Sequence, residues 1–238
     1  MKYSIVIPLK DEESNIEELV EEIEPVMQNL GHPWEMICID DGSQDQTLPL
    51  LRKLQKSRPY LQIISFEKNY GQTSAFDAGF RTARGEFVIT IDGDRQNDPA
   101  DIPHLISAMD GYDLICGRRR TRKDPWKKKI ISTVANSIRS RLCKDGISDT
   151  GCSLKLYRAQ SLKQIPLYEG MHRFLPALFL IYGFKVGEVP VNHRERTKGE
   201  TKYNVFNRSF NTIADMFAVR WMAKRRLGYR VRTDGDRA

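Results

Sequence analysis

Two aspartates separated by one glycine follow an apolar segment in VITIDGDRQNDP, residues 88–99. In an extended chain residues i and i+2 point to the same face, so Asp92 and Asp94 can present their carboxylates side by side. Without a partner such carboxylates repel each other and resist burial. A divalent cation removes that difficulty, and oxygen ligands with water suit Mg²⁺ or Mn²⁺. Asp92 and Asp94 are therefore predicted metal ligands, and Gly93 would let backbone and metal approach closely.

The same short motif also occurs in other structures. An Asp-Gly pair is common in hairpin turns, so a solvated turn remains an alternative at this point. An EF-hand calcium loop is excluded by its spacing. With Asp92 at the first loop position, the sixth position is Asn97 where the loop needs glycine, and the twelfth is Pro103 where it needs glutamate.

Two further apolar segments end in acidic residues, which are Asp11 and Glu12 in IVIPLKDEE and Asp40 and Asp41 in MICIDDGSQD. The carboxyl ends of parallel strands share one edge of a sheet, where ligands bind, so these side chains are expected to meet. The chain has neither a G-x-G-x-x-G dinucleotide motif nor a G-x-x-x-x-G-K-[ST] phosphate loop. Carboxylates can accept hydrogen bonds from ribose hydroxyls and base N–H groups. The pattern predicts a nucleotide on the first two strands, with its diphosphate reaching the fourth strand through a metal.

Strand-like and helix-like segments alternate through the first half of the chain. Apolar strand-like segments are found at residues 3–8, 34–40, 61–66, 86–92 and 112–116. Helical patterns lie between them, with a capping box at Ser14 and Glu17, an expected kink or end at Pro25, and a helix start at Asp98 and Pro99. This alternation predicts a parallel sheet covered by helices. Later segments predict helices at 126–142, 173–183 and 206–226, and strands near 149–158 and 185–194.

Four motifs, IPLKDEESNI, IDDGSQDQT, KNYGQTSAFDAGF and IDGDRQNDP, resemble in order and spacing the family 2 glycosyltransferases. Within that family the sequence is most similar to polyprenyl-phosphate sugar transferases, the group that contains dolichol-phosphate mannose synthase. The resemblance covers roughly residues 3–205. It implies an α/β GT-A fold, with a Rossmann-like, mostly parallel sheet flanked by helices. The expected organisation is a glycosyltransferase domain at 1–205, then an amphipathic helix and tail at 206–238.

The resemblance also implies roles for the acidic residues. Residues expected to bind the nucleotide sugar are Pro8, Asp11, Glu12, Asp40, Asp41, Asp92 and Gln96. Asp92 and Asp94 match the family's metal and diphosphate motif, and Asp94 is expected to be catalytic. Four residues depart from the family pattern, since Lys10 replaces an aromatic residue, Asp11 an asparagine, Arg95 an apolar residue and Thr201 a serine.

Three segments in the second half resemble phosphate-side and acceptor-side motifs of the family. They are GRRR at Gly117–Arg120, DTGCSLKLY beginning at Asp149, and RTKGETKYN beginning at Arg196. The resemblance implies catalytic roles for Asp149 and Arg118. Residues expected to bind phosphate groups or the acceptor are Arg118, Arg119, Arg196 and Lys202. A polar, glycine-containing loop such as 196–204 is also able to close over a diphosphate and exclude water.

Charge is divided unevenly along the chain. Residues 1–117 contain 10 Lys or Arg and 21 Asp or Glu, a net charge of −11, whereas residues 118–238 contain 28 and 10, a net charge of +18. The basic half, with Trp126 in RRRTRKDPWKKK, predicts docking on an anionic membrane surface.

At the C-terminal end the apolar residues at helical spacing are Phe206, Phe210, Ile213, Phe217 and Trp221, followed by Lys224–Arg226. Such a helix either lies in the headgroup region or packs on the domain, and both remain open.

The sequence contains no run of 18 apolar residues and no signal-peptide pattern, so a cytoplasmic protein is expected, peripheral on the cytoplasmic face of the membrane. Its four cysteines, Cys38, Cys116, Cys143 and Cys152, form no C-x-x-C pair and are expected to be reduced.

The function implied by the resemblance is metal-dependent, inverting transfer of a sugar from a UDP or GDP sugar to a polyprenyl phosphate, either dolichyl or undecaprenyl phosphate. The alternative is a family 2 glycosyltransferase acting on a non-lipid acceptor in cell-envelope polysaccharide synthesis. A processive synthase is disfavoured because Phe217 stands where its Gln-x-x-Arg-Trp motif needs glutamine. A nucleic-acid-binding module would leave the acidic strand ends unexplained, so no nucleic-acid partner is expected. A non-catalytic nucleotide-sugar sensor is disfavoured because Asp92, Asp94 and Gln96 are all present.

Overall fold

The computed structural model describes residues 1–120, 146–195 and 205–227, and in the last range it describes side chains from Thr212 onward. Several predictions lie outside the residues and side chains so described. They concern the basic stretch at 121–129 with Trp126, the helix at 126–142, the loop that contains Arg196 and Lys202, the thiol of Cys143, and the side chains of Phe206 and Phe210.

The described residues form seven strands and seven α-helices. The strands are β1 (Tyr3–Leu9), β2 (Trp34–Asp40), β3 (Leu61–Ser65), β4 (Phe87–Thr90), β5 (Leu114–Arg119), β6 (Lys155–Arg158) and β7 (Val186–Val191). The α-helices are α1 (Ile16–Asn29), α2 (Thr47–Gln55), α3 (Gln72–Thr82), α4 (Ile102–Ser107), α5 (Ala159–Leu162), α6 (Leu175–Ile181) and α7 (Val205–Arg225). Short 3₁₀ turns occupy Pro99–Asp101 and Met171–Phe174.

All seven strands belong to one sheet with the order β3-β2-β1-β4-β6-β5-β7. Its pairs are parallel except where β6 joins β4 and β5, which it meets antiparallel. This mostly parallel sheet flanked by helices confirms the predicted α/β class. The antiparallel β6 was not expected, and it separates β4 from β5.

Two apolar layers cover the sheet. One contains the inward-facing residues of α1, α2 and α4, and the other contains those of α3, α5, α6 and α7. Helix α1 buries Ile16, Leu19, Val20, Ile23 and Met27, a stripe at helical spacing. That stripe holds the helix against the core, so α1 continues through Pro25 to Asn29, contrary to the prediction of a break. The proline is on the exposed side of the helix, where water can bond the carbonyl that it leaves free.

The start of α1 also differs from the prediction. Its first flanking residue is Asn15, and no side chain caps the helix, so the Ser14–Glu17 capping box is wrong. The side-chain amide of Asn15 instead donates to Glu12 Oε2 at 2.7 Å, which ties the helix start to the end of β1. The start predicted at Asp98 is confirmed, since its carboxylate accepts from Ala100 N at 3.0 Å.

Helix α7 has one face on the domain and another in solvent. Met216 and Val219 are buried in the same apolar layer as α6. Ile213, Phe217 and Trp221 lie on the opposite side and remain 49%, 58% and 63% exposed. The helix therefore packs on the domain and still presents an apolar stripe, so the two interpretations of its sequence are not exclusive.

Within the described ranges, no helix combines the length and the apolar character needed to cross a membrane. Three of the cysteines, Cys38, Cys116 and Cys152, are buried free thiols, as expected.

Candidate active site

The acidic segments after β1, β2 and β4 meet at one edge of the sheet, because these three strands are neighbours and parallel. Gly93 shows how closely they pack. A Cβ added there would lie 2.5 Å from Leu9 Cδ2 and 3.3 Å from Glu12 Cγ, and 3.6 Å from the carbonyl oxygen of Pro8. Any larger residue at position 93 would have to displace the buried side chain of Leu9.

The loops after β1 and β2 hold each other through hydrogen bonds. Asp11 N donates to Ser43 Oγ at 2.9 Å, and Gln44 N donates to Asp11 Oδ1 at 2.7 Å. Glu12 N donates to Thr47 Oγ1 at 2.7 Å. Asp11 has a φ of +48°, a left-handed conformation that aspartate adopts more readily than most residues. These contacts fix the direction in which Asp11 and Glu12 leave β1.

Asp40 and Asp41 are both buried and organise the surrounding loops. The Asp40 carboxylate accepts from Ser43 N and Ser65 Oγ, each at 3.1 Å. The Asp41 carboxylate accepts from Tyr70 N at 2.6 Å and Gly71 N at 3.0 Å, immediately before α3. Burial raises the pKa of Asp41, and these hydrogen bonds and the charge of Lys10 only partly oppose it.

A small cleft opens beside this edge. Its lining residues are Asp92, Asp94, Gln96, Asn97, Arg119, Gly151, Cys152, Ser153 and His193. Four of these residues were predicted from the sequence to belong to the site, and they are Asp92, Asp94, Gln96 and Arg119. The cleft thus joins the D-x-D motif after β4 to the end of β5 and to the loop that precedes β6.

Opposing effects act on the pKa of Asp92. Burial, with the neighbouring carboxylates of Asp94 and Glu12, raises the pKa of Asp92 to a net value of about 6. The Ser153 hydroxyl and the Lys155 ammonium lower it. Gln72 Nε2 at the start of α3 donates to Asp92 Oδ1 at 3.0 Å. Two carboxylates held together at this cost favour a cation between them.

The donor set fits Mg²⁺ or Mn²⁺. Asp92 and Asp94 supply carboxylate oxygens, and Asp94 Oδ1 is oriented by Gln96 N at 3.1 Å. Across the described ranges no three His, Cys, Asp or Glu side chains group closely enough to hold a metal alone. This suits a metal held by one or two carboxylates, with substrate phosphates and water as its remaining ligands.

Asp149 and Arg119 form a bidentate ion pair at the wall of the cleft. Arg119 Nε donates to Asp149 Oδ2 and Arg119 Nη2 to Oδ1, both at 2.7 Å, while Arg119 N lies 3.2 Å from Oδ2. Asp149 N and the Ser148 hydroxyl donate to Glu188 of β7 at 3.1 and 2.8 Å. Both oxygens of Asp149 are thus engaged by Arg119, so this aspartate holds the guanidinium at the cleft.

Arg118 is not brought into the cleft. Successive residues of a strand point to opposite faces, so Arg118 and Arg119 of β5 diverge. Arg119 lines the cleft, whereas Arg118 is exposed on the other face of the strand. The catalytic role expected for Arg118 therefore has no support from its position.

Several residues of the site were missed by sequence reasoning. Lys155 is 5% exposed, and its ammonium donates to the carbonyls of Cys152 and, at 3.5 Å, of Thr150. Ser153 Oγ donates to Asn97 Oδ1 at 2.6 Å beside Asp92. A signal was present, since a lysine between the apolar residues of SLKLY is unusual in a buried strand.

Comparison with solved structures defines the class of the fold. Glucosyl-3-phosphoglycerate synthase from Mycobacterium tuberculosis, in complex with Mn²⁺, UDP and phosphoglyceric acid, superposes with a TM-score of 0.71 at 19% identity. The match covers 92% of this chain and 78% of that one. The same enzyme with Mg²⁺ and UDP gives a TM-score of 0.71 at 18% identity, with 92% and 79% covered. The fold is that of the GT-A glycosyltransferases, as predicted.

The family follows from sequence comparison. The model of glycosyl transferase family 2 matches residues 4–166, and the chain belongs to that family. It is 40% identical over 225 residues to dodecaprenyl-phosphate galacturonate synthase of Rhizobium johnstonii, covering 92% of this chain and 66% of that protein. It is 35% identical over 205 residues to undecaprenyl-phosphate 4-deoxy-4-formamido-L-arabinose transferase of Edwardsiella ictaluri, covering 85% and 63%. The chain spans just under two thirds of the length of these relatives.

Proposed function

We propose that the protein transfers a sugar from a nucleoside-diphosphate sugar to the phosphate of a polyprenol, with Mg²⁺ or Mn²⁺ and with inversion at the anomeric carbon. The observation that carries the proposal is the pair Asp92 and Asp94, which faces a cleft beside the acidic ends of β1 and β2 and shares that cleft with Arg119. The two relatives named above supply the acceptor class, since both names specify a polyprenyl phosphate.

The donor is expected to lie across the ends of β1, β2 and β4. The loops of Asp11 and Glu12 and of Asp40 and Asp41 would accept hydrogen bonds from the base and ribose. The diphosphate would then reach Asp92, Asp94 and Gln96 along the cleft. A metal bound to the two aspartates would neutralise charge on the departing diphosphate.

The acceptor side requires binding more than proton abstraction, because a lipid phosphate is already anionic. This agrees with the geometry of Asp149, whose oxygens both accept from Arg119. The ion pair fixes the orientation of this guanidinium at the wall of the cleft, and guanidinium is a group that binds phosphate. Arg118, Arg196 and Lys202 remain predicted acceptor-side residues.

The lipid acceptor also requires an encounter with the membrane. Helix α7 presents Ile213, Phe217 and Trp221 to solvent, and exposed basic residues follow at Lys224 and Arg225. An apolar stripe bordered by cations suits the headgroup region of an anionic leaflet. We place the protein on the cytoplasmic face of the membrane, with no nucleic-acid partner.

The test is a transfer assay with mass spectrometry. Purified protein is incubated with Mn²⁺, undecaprenyl or dolichyl phosphate, and a panel of UDP and GDP sugars that includes UDP-galacturonate. A new glycolipid in the wild type and in Asp110→Asn, an exposed carboxylate remote from the cleft, but not in Asp94→Asn, is the expected result. Transfer to soluble acceptors alone would favour the alternative, a non-lipid acceptor in cell-envelope polysaccharide synthesis.

A further inference from the structure

Arg95 stands inside the D-x-D loop but turns away from the cleft. It lies between Asp94 and Gln96, and its φ is +58°, a left-handed conformation that costs an arginine roughly 1–2 kcal/mol. Its guanidinium forms ion pairs with Glu18 and Glu22 of α1. These contacts give a physical reason for a charged residue at a position where the family usually has an apolar one.

A second arginine reaches the same glutamate from the other side of the loop. Arg194, which follows β7, pairs through Nη1 with Glu22 Oε2 at 2.5 Å and through Nη2 with Asp98 Oδ1 at 2.9 Å. Its backbone N also donates to the carbonyl of Gln96 at 2.8 Å. Glu22 therefore joins the D-x-D loop and the segment after β7 to one helix.

The surroundings of these ion pairs favour a measurable effect. The side chains of Arg95 and Glu22 are 18% and 26% exposed, so water and salt screen their attraction less than at an open surface. The helix that carries Glu22 is held by its buried stripe, which gives the loop a fixed point of attachment.

We propose that Glu22 is a positioning residue for the metal site, acting through Arg95 and Arg194 on the turn that aims Asp94 and Gln96 at the cleft. The inference rests on the proposed function, because it assumes that Asp92 and Asp94 bind the metal. Without Glu22, the strained turn at Arg95 loses one anchor, and Asp94 samples positions that bind the metal less well. Groups that hydrogen-bond a metal ligand directly commonly change metal affinity about 10- to 100-fold, and Glu22, one contact further out, is expected to act at the lower end of that range.

The experiment measures Mn²⁺ binding directly, from the electron paramagnetic resonance signal of free Mn²⁺ during titration of protein in the presence of UDP and, separately, of GDP. Glu22→Gln keeps the shape and removes the charge, and Glu21→Gln is the matched control, since Glu21 is exposed on the same helix. Glu22→Gln is expected to bind Mn²⁺ about 10-fold more weakly, while Glu21→Gln matches the wild type. At saturating Mn²⁺ the kcat of Glu22→Gln should stay within about 2-fold of the wild-type kcat, because the side chains that line the cleft are unchanged.

A second variant keeps the test informative if Glu22→Gln is unstable. Arg95→Asn removes the guanidinium and leaves a residue that tolerates the left-handed conformation, so it should also weaken Mn²⁺ binding. Wild-type Mn²⁺ affinity in a folded Glu22→Gln or Arg95→Asn protein would overturn the inference. Failure of the wild-type protein to bind Mn²⁺ with either UDP or GDP would instead overturn the proposed function.

Discussion

The exposed stripe of α7 leads to a prediction for which a magnitude can be worked out. Phe217 and Trp221 are 58% and 63% exposed, one turn apart on the same face. Burying a large apolar side chain fully is worth roughly 1.5–3 kcal/mol, so the exposed fractions correspond to about 1–2 kcal/mol each. The double variant Phe217→Ser, Trp221→Ser should therefore lose about 2–3.5 kcal/mol of membrane binding, a fall of roughly 30- to 300-fold in the partition coefficient.

The basic end of the same helix adds a term that depends on lipid charge. Lys224 and Arg225 are exposed, and each cation near an anionic surface contributes about 1 kcal/mol. Arg226 is less available, because its guanidinium donates to the carbonyls of Ile181 and, at 2.8 Å, of Tyr182. Lys224→Gln with Arg225→Gln should lower binding about 30-fold on anionic vesicles and leave binding to neutral vesicles unchanged.

Co-sedimentation with vesicles of phosphatidylglycerol and phosphatidylcholine, compared with phosphatidylcholine alone, measures both terms at low and high salt. Tyr112→Ser is the matched control, since Tyr112 is a 40% exposed aromatic residue in the turn before β5, outside α7. Wild-type partitioning of the Phe217 and Trp221 double variant would refute this reasoning. Equal losses in the Tyr112 control would do so as well.

Three other predictions concern the site and the sheet. Asp94→Asn should lower metal-dependent turnover by about 100-fold or more with an unchanged circular dichroism spectrum, measured by product formation at saturating donor. Gly93→Ala should cost roughly 1–3 kcal/mol in urea unfolding and raise the donor KM, because its Cβ would meet Leu9. Glu35 is fully buried, and this burial raises the pKa of its carboxyl. Hydrogen bonds from Ser4 and Arg84 and the positive charge of Arg84 outweigh the effect of burial, so the net pKa of Glu35 is lowered. Because the pKa of Glu35 is lower in the folded protein, the ionised carboxyl stabilises the fold at pH values above the ordinary glutamate pKa of about 4.3. In urea titrations, the difference in free energy of unfolding between wild type and Glu35→Gln should be constant at about pH 5–7 and should shrink below about pH 4. An advantage that grows on acidification would contradict that sign.

Local sequence patterns were sufficient to predict an element wherever its apolar residues alone distinguished a strand from a helix. The segment predicted at 34–40 is β2 within the same bounds, because its central residues Met36–Ile39 are apolar and the strand is buried on both faces. Position 25 shows the limit of such patterns. Proline lowers helix propensity locally, but the buried stripe of α1 is a tertiary contact that outweighs it. The ion pairs of Arg95 likewise join residues more than 70 positions apart, which no local pattern reveals.

The antiparallel direction of β6 explains which parts of the site could be predicted from sequence. Parallel strands bring their carboxyl ends to one edge, so the acids after β1, β2 and β4 could be placed together from sequence. An antiparallel strand brings its beginning to that edge instead, and the register pairs Thr90, the last residue of β4, with Lys155, the first residue of β6. The loop before β6 and the first residue of that strand consequently bring the Ser153 hydroxyl and the Lys155 ammonium to Asp92, and the same loop brings Asp149 to Arg119 at the wall of the cleft. Because the strand direction depends on long-range pairing with β4 and β5, Ser153 and Lys155 became recognisable as neighbours of Asp92 only in the folded chain.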